Sequence, residues 1–193
     1  MRICIKNGRV VDPARGFDKA ADVFVADGRI VSLGETPPAG FTAEGTIDAG
    51  GCIVCPGLVD LSARLREPGL EYKATLESEM AAAAAGGITT LACPPDTDPP
   101  LDEPGLVEML RHRARLPEFA NVHPVGALTV GLAGQRLTEM AELAEAGCIA
   151  FGQANIAVVD TQVLLRAMQY AATFGFSVWL QAQDPYLAKG GVA

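Results

Sequence analysis

Short apolar runs broken by turn dipeptides open the chain, and a slower strand–helix alternation replaces them after Gly50-Gly51. Ile3–Lys6, Arg9–Val11, Asp22–Ala26 and Arg29–Leu33 are apolar-rich runs, separated by Asn7-Gly8 and Asp27-Gly28. Both dipeptides accept the positive φ that tight hairpin turns require, so the pattern predicts hairpins. Gly34–Gly45, with Pro37-Pro38, reads as a loop, and Thr46–Ala49 as a last strand before Gly50-Gly51. Residues 1–54 are therefore expected to form a small β-module.

Cys52–Leu61 is an apolar run of the kind expected for a parallel strand buried on both faces. Helices are predicted at Thr75–Ala85, Glu103–Leu116, Leu137–Ala146 and Asp160–Phe174; Gly86-Gly87, Gly147 and Gly175 stop the first, third and fourth. Strands are predicted between them at Ile88–Cys93, Val122–Thr129, Cys148–Phe151 and Phe176–Ala182. Strands alternating with helices imply parallel βαβ units. No Gly-x-Gly-x-x-Gly follows a strand, so a nucleotide-binding doubly wound sheet has no support. A complete (β/α)8 barrel takes about 250 residues. Residues 55–193 are accordingly expected to be the first part of a TIM-type barrel, its C-terminal half absent.

The chain has 193 residues, 49% hydrophobic and 20% charged, which suits a packed globular protein. Its formal net charge of −8 argues against a nucleic-acid or anionic-membrane surface. The N-terminus lacks the apolar core of a signal peptide, and the longest apolar candidate, Met80–Ala85, stops at Gly86-Gly87. Five cysteines in apolar segments suggest reduced thiols and a cytoplasmic location. Cys52 and Cys55 form a Cys-x-x-Cys with a β-branched spacer and no second ligand pair, which predicts buried structural cysteines rather than a zinc or redox site.

Candidate chemistry concentrates at the predicted strand ends. Residues 58–69 read Leu-Val-Asp-Leu-Ser-Ala-Arg-Leu-Arg-Glu-Pro-Gly. Together with Asn7-Gly8-Arg9-Val10-Val11-Asp12-Pro13, Ile47-Asp48-Ala49-Gly50-Gly51 and Pro56-Gly57-Leu58-Val59-Asp60, this stretch resembles dihydroorotase of the amidohydrolase superfamily, in its bacterial multifunctional-complex type. The resemblance runs through essentially the whole chain. It implies an amidohydrolase (β/α)8 barrel with a composite N-terminal β-sandwich, acting on a cyclic amide with zinc.

The resemblance also implies where ligands should lie, and this sequence departs from the pattern there. The family's first strand ends in Asp-x-His-x-His; here Asp60 is kept, but Ser62 and Arg64 replace the histidines. Serine is a poor zinc ligand, and arginine has no lone pair to offer. The family's asparagine that helps hold substrate corresponds to Asp96, and an ionised Asp96 would repel a carboxylate that Arg66 could still bind. The acidic pair of the fourth strand has become Gln153 and Ala154, and the histidine of the next strand is Gln181. No catalytic residue and no metal are therefore expected, with Arg66 and Asp96 left as vestiges of substrate binding. The two histidines fall elsewhere, His112 on a helix face and His123 at a strand start, opposite the end that carries chemistry in such barrels. Arg64 is expected to pair with Asp60 or Asp96 as a plug in the vacated site.

The preferred reading is a non-catalytic dihydroorotase-like protein of pyrimidine biosynthesis, a structural partner of aspartate transcarbamoylase by resemblance, with a homo-oligomer open. In it, the Arg66-Glu67-Pro68-Gly69 loop could be kept for an interface. The alternative is a zinc-dependent cyclic amidohydrolase of weak or altered activity whose remaining ligands lie outside this chain; a third is a small-molecule sensor using Arg66.

Overall fold

The computed structural model describes residues 1–117, 119–184, 186 and 187, and these form two compact units, Met1–Pro56 and Gly57–Ala193. In the first, β1 (Arg2–Asp12), β2 (Phe17–Ala26), β3 (Arg29–Gly34) and β4 (Gly45–Asp48) make a sheet ordered β3-β2-β1-β4, with β5 (Ile53–Val54) also beside β1. β1 runs antiparallel to β2 and parallel to β4 and β5. Val10, Ala21 and Val23 are the core of this unit, with Ile5, Phe17, Val25, Leu33 and Val54 packed on them.

Asn7-Gly8 does not turn the chain: the two runs expected on either side of it are one strand, β1. Asn7 takes φ +63 inside a bulge that shifts the β1–β2 register between Ile5 and Gly8. Its amide donates to Asp22 Oδ1 at 3.1 Å and its Nδ2 to Asp48 Oδ1 at 2.9 Å. The positive φ that suits a hairpin suits a bulge equally well. The hairpin forms instead at Pro13–Arg15, where Asp12 accepts from the Ala14 amide and Gly16 closes in the left-handed region.

The predicted strand Cys52–Leu61 is likewise two elements, β5 and β6 (Leu58–Asp60), in different sheets. Pro56 has no amide to give a ladder, which breaks the run. Cys52 and Cys55 are both exposed, not buried as expected, because the short break around β5 leaves them outside either core. Cys4, Cys93 and Cys148 are buried free thiols.

The second unit alternates β6, α1 (Leu76–Ala85), β7 (Ile88–Cys93), α2 (Pro104–Arg115), β8 (Asn121–Ala127), α3 (Met140–Ala146), β9 (Ala150–Gly152), α4 (Thr161–Phe174) and β10 (Val178–Trp179). Its sheet is parallel and ordered β10-β9-β8-β7-β6, each strand beside its predecessor. A doubly wound sheet would reverse direction at a switch point; unreversed order is that of a barrel wall. Residues of all four helices, Met80, Leu110, Leu143 and Ala167 among them, share one core with Leu91, Cys93 and Phe151. The other face of the sheet carries Ala92, Val125 and Ala150, with Trp179 against them. Helices on one face and small side chains on the other define a half-barrel.

Local sequence explains the helix limits. Thr75 and Ser78 form a reciprocal capping box at the start of α1. Asp160 caps α4 through the amides of Gln162 and Val163. α3 begins at Met140 rather than Leu137, because Leu137 bridges to Thr129 and the Thr138 hydroxyl donates to the Ala127 carbonyl at 2.6 Å. Among the described residues no helix is long and apolar enough to cross a membrane.

Candidate functional site

Beyond the C-terminal ends of β6, β7, β9 and β10 lies an open mouth of about 440 Å³, lined by Ser62, Arg64, Pro95, Asn155, Trp179 and Gln181 among others. In a barrel this is the end where loops carry chemistry. The sequence-predicted residues do not converge on one point in it.

Arg64 and Asp96 do meet. Arg64 Nε donates to Asp96 Oδ2 at 2.7 Å, and both side chains are 28% exposed. Asp60 is the alternative partner the sequence allowed, but its Oδ1 accepts the Ser62 amide at 2.8 Å and shapes the turn leaving β6. Ser62 is exposed on the mouth with Gln181. Under the ion pair, burial pushes the Cys93 thiol up to about 11.

Gln153 departs from the expected placement: it is 1% exposed and does not line the mouth. Its Nε2 donates to Thr129 Oγ1 at 2.7 Å and to the Leu132 carbonyl at 2.8 Å, while Thr129 Oγ1 also accepts the Gly134 amide. A buried amide needs such partners, and the loop after β8 supplies them. Ala154, with φ +49, takes the place on the mouth.

Arg66 has φ +65 and borders a narrow cleft shared with Asp96, outside the mouth. The residue after it has a packing role that the sequence does not reveal. Glu67 is only 3% exposed; its Oε2 accepts the Leu76 amide at 2.9 Å and its Oε1 pairs with Arg113 of α2. Gly69, at φ +93, lies so close to the Asp98 carbonyl that any side chain would collide with it. The Arg66–Gly69 loop thus fastens α1, α2 and the β7 loop together. Glu67 and Pro68 face inward, while Arg66 is half-buried and Gly69 exposed. No sequence signal pairs Glu67 with Arg113; Trp179, lining the mouth from the end of β10, was detectable only as the chain's single tryptophan.

His112 is exposed on α2, and His123 sits at the start of β8, away from the mouth. Zinc catalysis requires about three protein ligands. Among the described residues no group of three His, Cys, Asp or Glu side chains could hold a metal. Ser62, Arg64 and Gln181 line the mouth without an imidazole or carboxylate among them, and the Arg64 cation opposes a divalent ion electrostatically. The residues present do not fit zinc.

A wall of sequentially ordered parallel strands, with its open mouth at their C-terminal ends, is the scaffold of the amidohydrolase barrels. L-hydantoinase (dihydropyrimidinase) from Arthrobacter aurescens superposes with a TM-score of 0.79 at 25% identity, over 97% of this chain and 42% of its own. The sequence matches the dihydro-orotase-like family over residues 51–193, and the chain belongs to that family. It is 47% identical over its whole length to a dihydroorotase-like protein of Pseudomonas aeruginosa and 44% identical to a dihydroorotase of Pelobacter propionicus. It spans 45% of the length of each of these relatives.

Proposed function

We propose that this chain belongs to a cytoplasmic dihydroorotase-like protein of pyrimidine biosynthesis that does not hydrolyse dihydroorotate and instead supports the assembly of aspartate transcarbamoylase. The observation that supports the non-catalytic part is the Arg64–Asp96 ion pair, between the two residues that the family resemblance aligns with a metal ligand and a substrate-holding amide. Without a metal there is neither an activated water nor polarisation of the cyclic amide. Among the described residues the Ser62 hydroxyl has no hydrogen-bonded base to make it a nucleophile, and its backbone amide donates to Asp60. The transcarbamoylase partnership rests on family likeness.

The family relationship also supports a second reading, an active zinc-dependent enzyme, because relatives more than 40% identical carry the name dihydroorotase and over half of their length lies outside this alignment. The two readings separate on one preparation. Full-length protein is purified with its co-expressed transcarbamoylase and assayed for zinc content, dihydroorotate hydrolysis and co-elution. The proposed reading expects substoichiometric zinc, no turnover by the subunit and a stable complex. Zinc at one equivalent with turnover favours the enzyme, and separate elution at micromolar concentration removes the partnership.

A further inference from the structure

At the opposite end of the parallel sheet from the mouth lies a second hollow, of about 470 Å³, lined by Thr89, Arg111, Arg115, Phe119, Asn121 and His123 among others. Arg111 and Arg115 are four residues apart near the C-terminal end of α2 and so share a helix face. The Arg111 guanidinium is held in place: Nη1 donates to the Ala146 carbonyl at 2.6 Å, and the group lies over Gly147. Gly147 has φ +116, and a Cβ there would run into the guanidinium. One N–H is thus engaged at the C-terminus of α3, and among the described residues the rest of the rigid, planar fork has no hydrogen-bond partner.

The chain as a whole carries a net charge of −8, yet no carboxylate occurs among the described residues lining this hollow. The Asn121 amide is turned to the Thr89 carbonyl, so the two guanidinium groups are the cationic donors of the hollow, and together they present more N–H groups than one carboxylate accepts. A phosphate group offers three strong acceptor oxygens and suits arginine forks. The volume falls within the range of small-molecule sites, roughly 300–1,000 Å³. Phe119 and Ala120 supply an apolar wall for the rest of a ligand.

We propose that this hollow binds a small phosphorylated molecule, with Arg111 and Arg115 holding the phosphate. The competing explanation is that both arginines only offset the negative ends of α2 and α3.

Titration calorimetry on the full-length protein with pyrophosphate distinguishes the two, with succinate at matched ionic strength as control. The expected result is saturable binding tighter than about 1 mM, with succinate at least about tenfold weaker. Arg115→Gln is expected to weaken pyrophosphate binding by about tenfold or more, the loss of one charge-assisted contact. Gly147→Ala keeps every charge but displaces the Arg111 guanidinium, and is expected to weaken binding as well. Should Arg115→Gln shift the denaturant midpoint, Arg111→Lys is read instead, since it keeps the charge and loses the fork. Absence of saturation below about 10 mM, equal affinity for succinate, or unchanged binding in these variants overturns the proposal.

Discussion

Arg64 and Asp96 lie on separate loops, beyond β6 and beyond β7, and are joined through Nε and Oδ2 at 2.7 Å. A cation at one strand end and an anion at the next neutralise each other. At 28% exposure the pair is neither dry nor fully solvated. Arg64→Ala should therefore cost about 1–2 kcal/mol, between the values for exposed and buried pairs. Asp96→Asn, which keeps an acceptor for Arg64, should cost less. Denaturant midpoints at neutral pH measure both, and a loss for Arg64→Ala no larger than for Asp96→Asn would mean the pair contributes little.

Glu67 and Arg113 make the more consequential contact, because Glu67 is almost fully buried while Arg113 is half-exposed. Removing the cation strands a buried carboxylate, so Arg113→Met should destabilise by about 3 kcal/mol. Replacing both partners, Glu67→Gln with Arg113→Met, should recover part of that loss, since the remaining amide can still accept from Leu76. A double variant as unstable as the sum of the two singles would show that the pair is not coupled.

The buried thiols set a limit on alkaline stability. Burial pushes Cys93 up to about 11 and Cys148 up to about 12, from an ordinary value of 9.0. Between pH 9 and 11 the unfolded chain releases these protons while the folded chain keeps them, so unfolding is favoured as pH rises. Stability should hold up to about pH 9 and then decline, and Cys93→Ala with Cys148→Ala should flatten the decline after correction for the methyl-sized cavities. Below that range, a thiol reagent should label the exposed Cys52 and Cys55 promptly and Cys4, Cys93 and Cys148 only on unfolding. Rapid labelling of all five at neutral pH would contradict the burial.

The periodic pattern located the β-module and the parallel units because each signal was local: capping residues at Thr75 and Asp160, glycine stops after α1, α3 and α4, and short strands with apolar ends at β7 and β8. It failed where one signal has two structural outcomes. Asn7-Gly8 makes a bulge as readily as a hairpin, and the apolar run Cys52–Leu61 hid Pro56 as the boundary between two sheets. The ion pair at Arg64 was legible because substitutions fell on adjacent strand ends of a recognisable motif. Gln153 was not, since an amide in place of a carboxylate turns away from water to find Thr129 and Leu132. The Glu67–Arg113 pair spans α1 and β7 and depends on tertiary packing alone.

The proposed non-catalytic reading makes a further prediction for imidazoles placed at the end of β6. Ser62→His with Arg64→His removes the opposing cation and adds two zinc donors, yet it leaves Gln153 buried in its own hydrogen bonds and Gln181 as an amide on the mouth. It also leaves Asp96 without its partner. Groups that act as a unit do not return activity in parts, and zinc held by fewer than about three protein ligands is weakly bound. The double variant should therefore take up zinc only weakly in equilibrium dialysis and show no dihydroorotate hydrolysis above a protein-free control. Adding Gln181→His should raise zinc affinity further than either change alone, because it supplies a third donor on the same mouth. Turnover in the double variant would overturn the proposed non-catalytic reading and leave the Arg64–Asp96 ion pair as the barrier to chemistry.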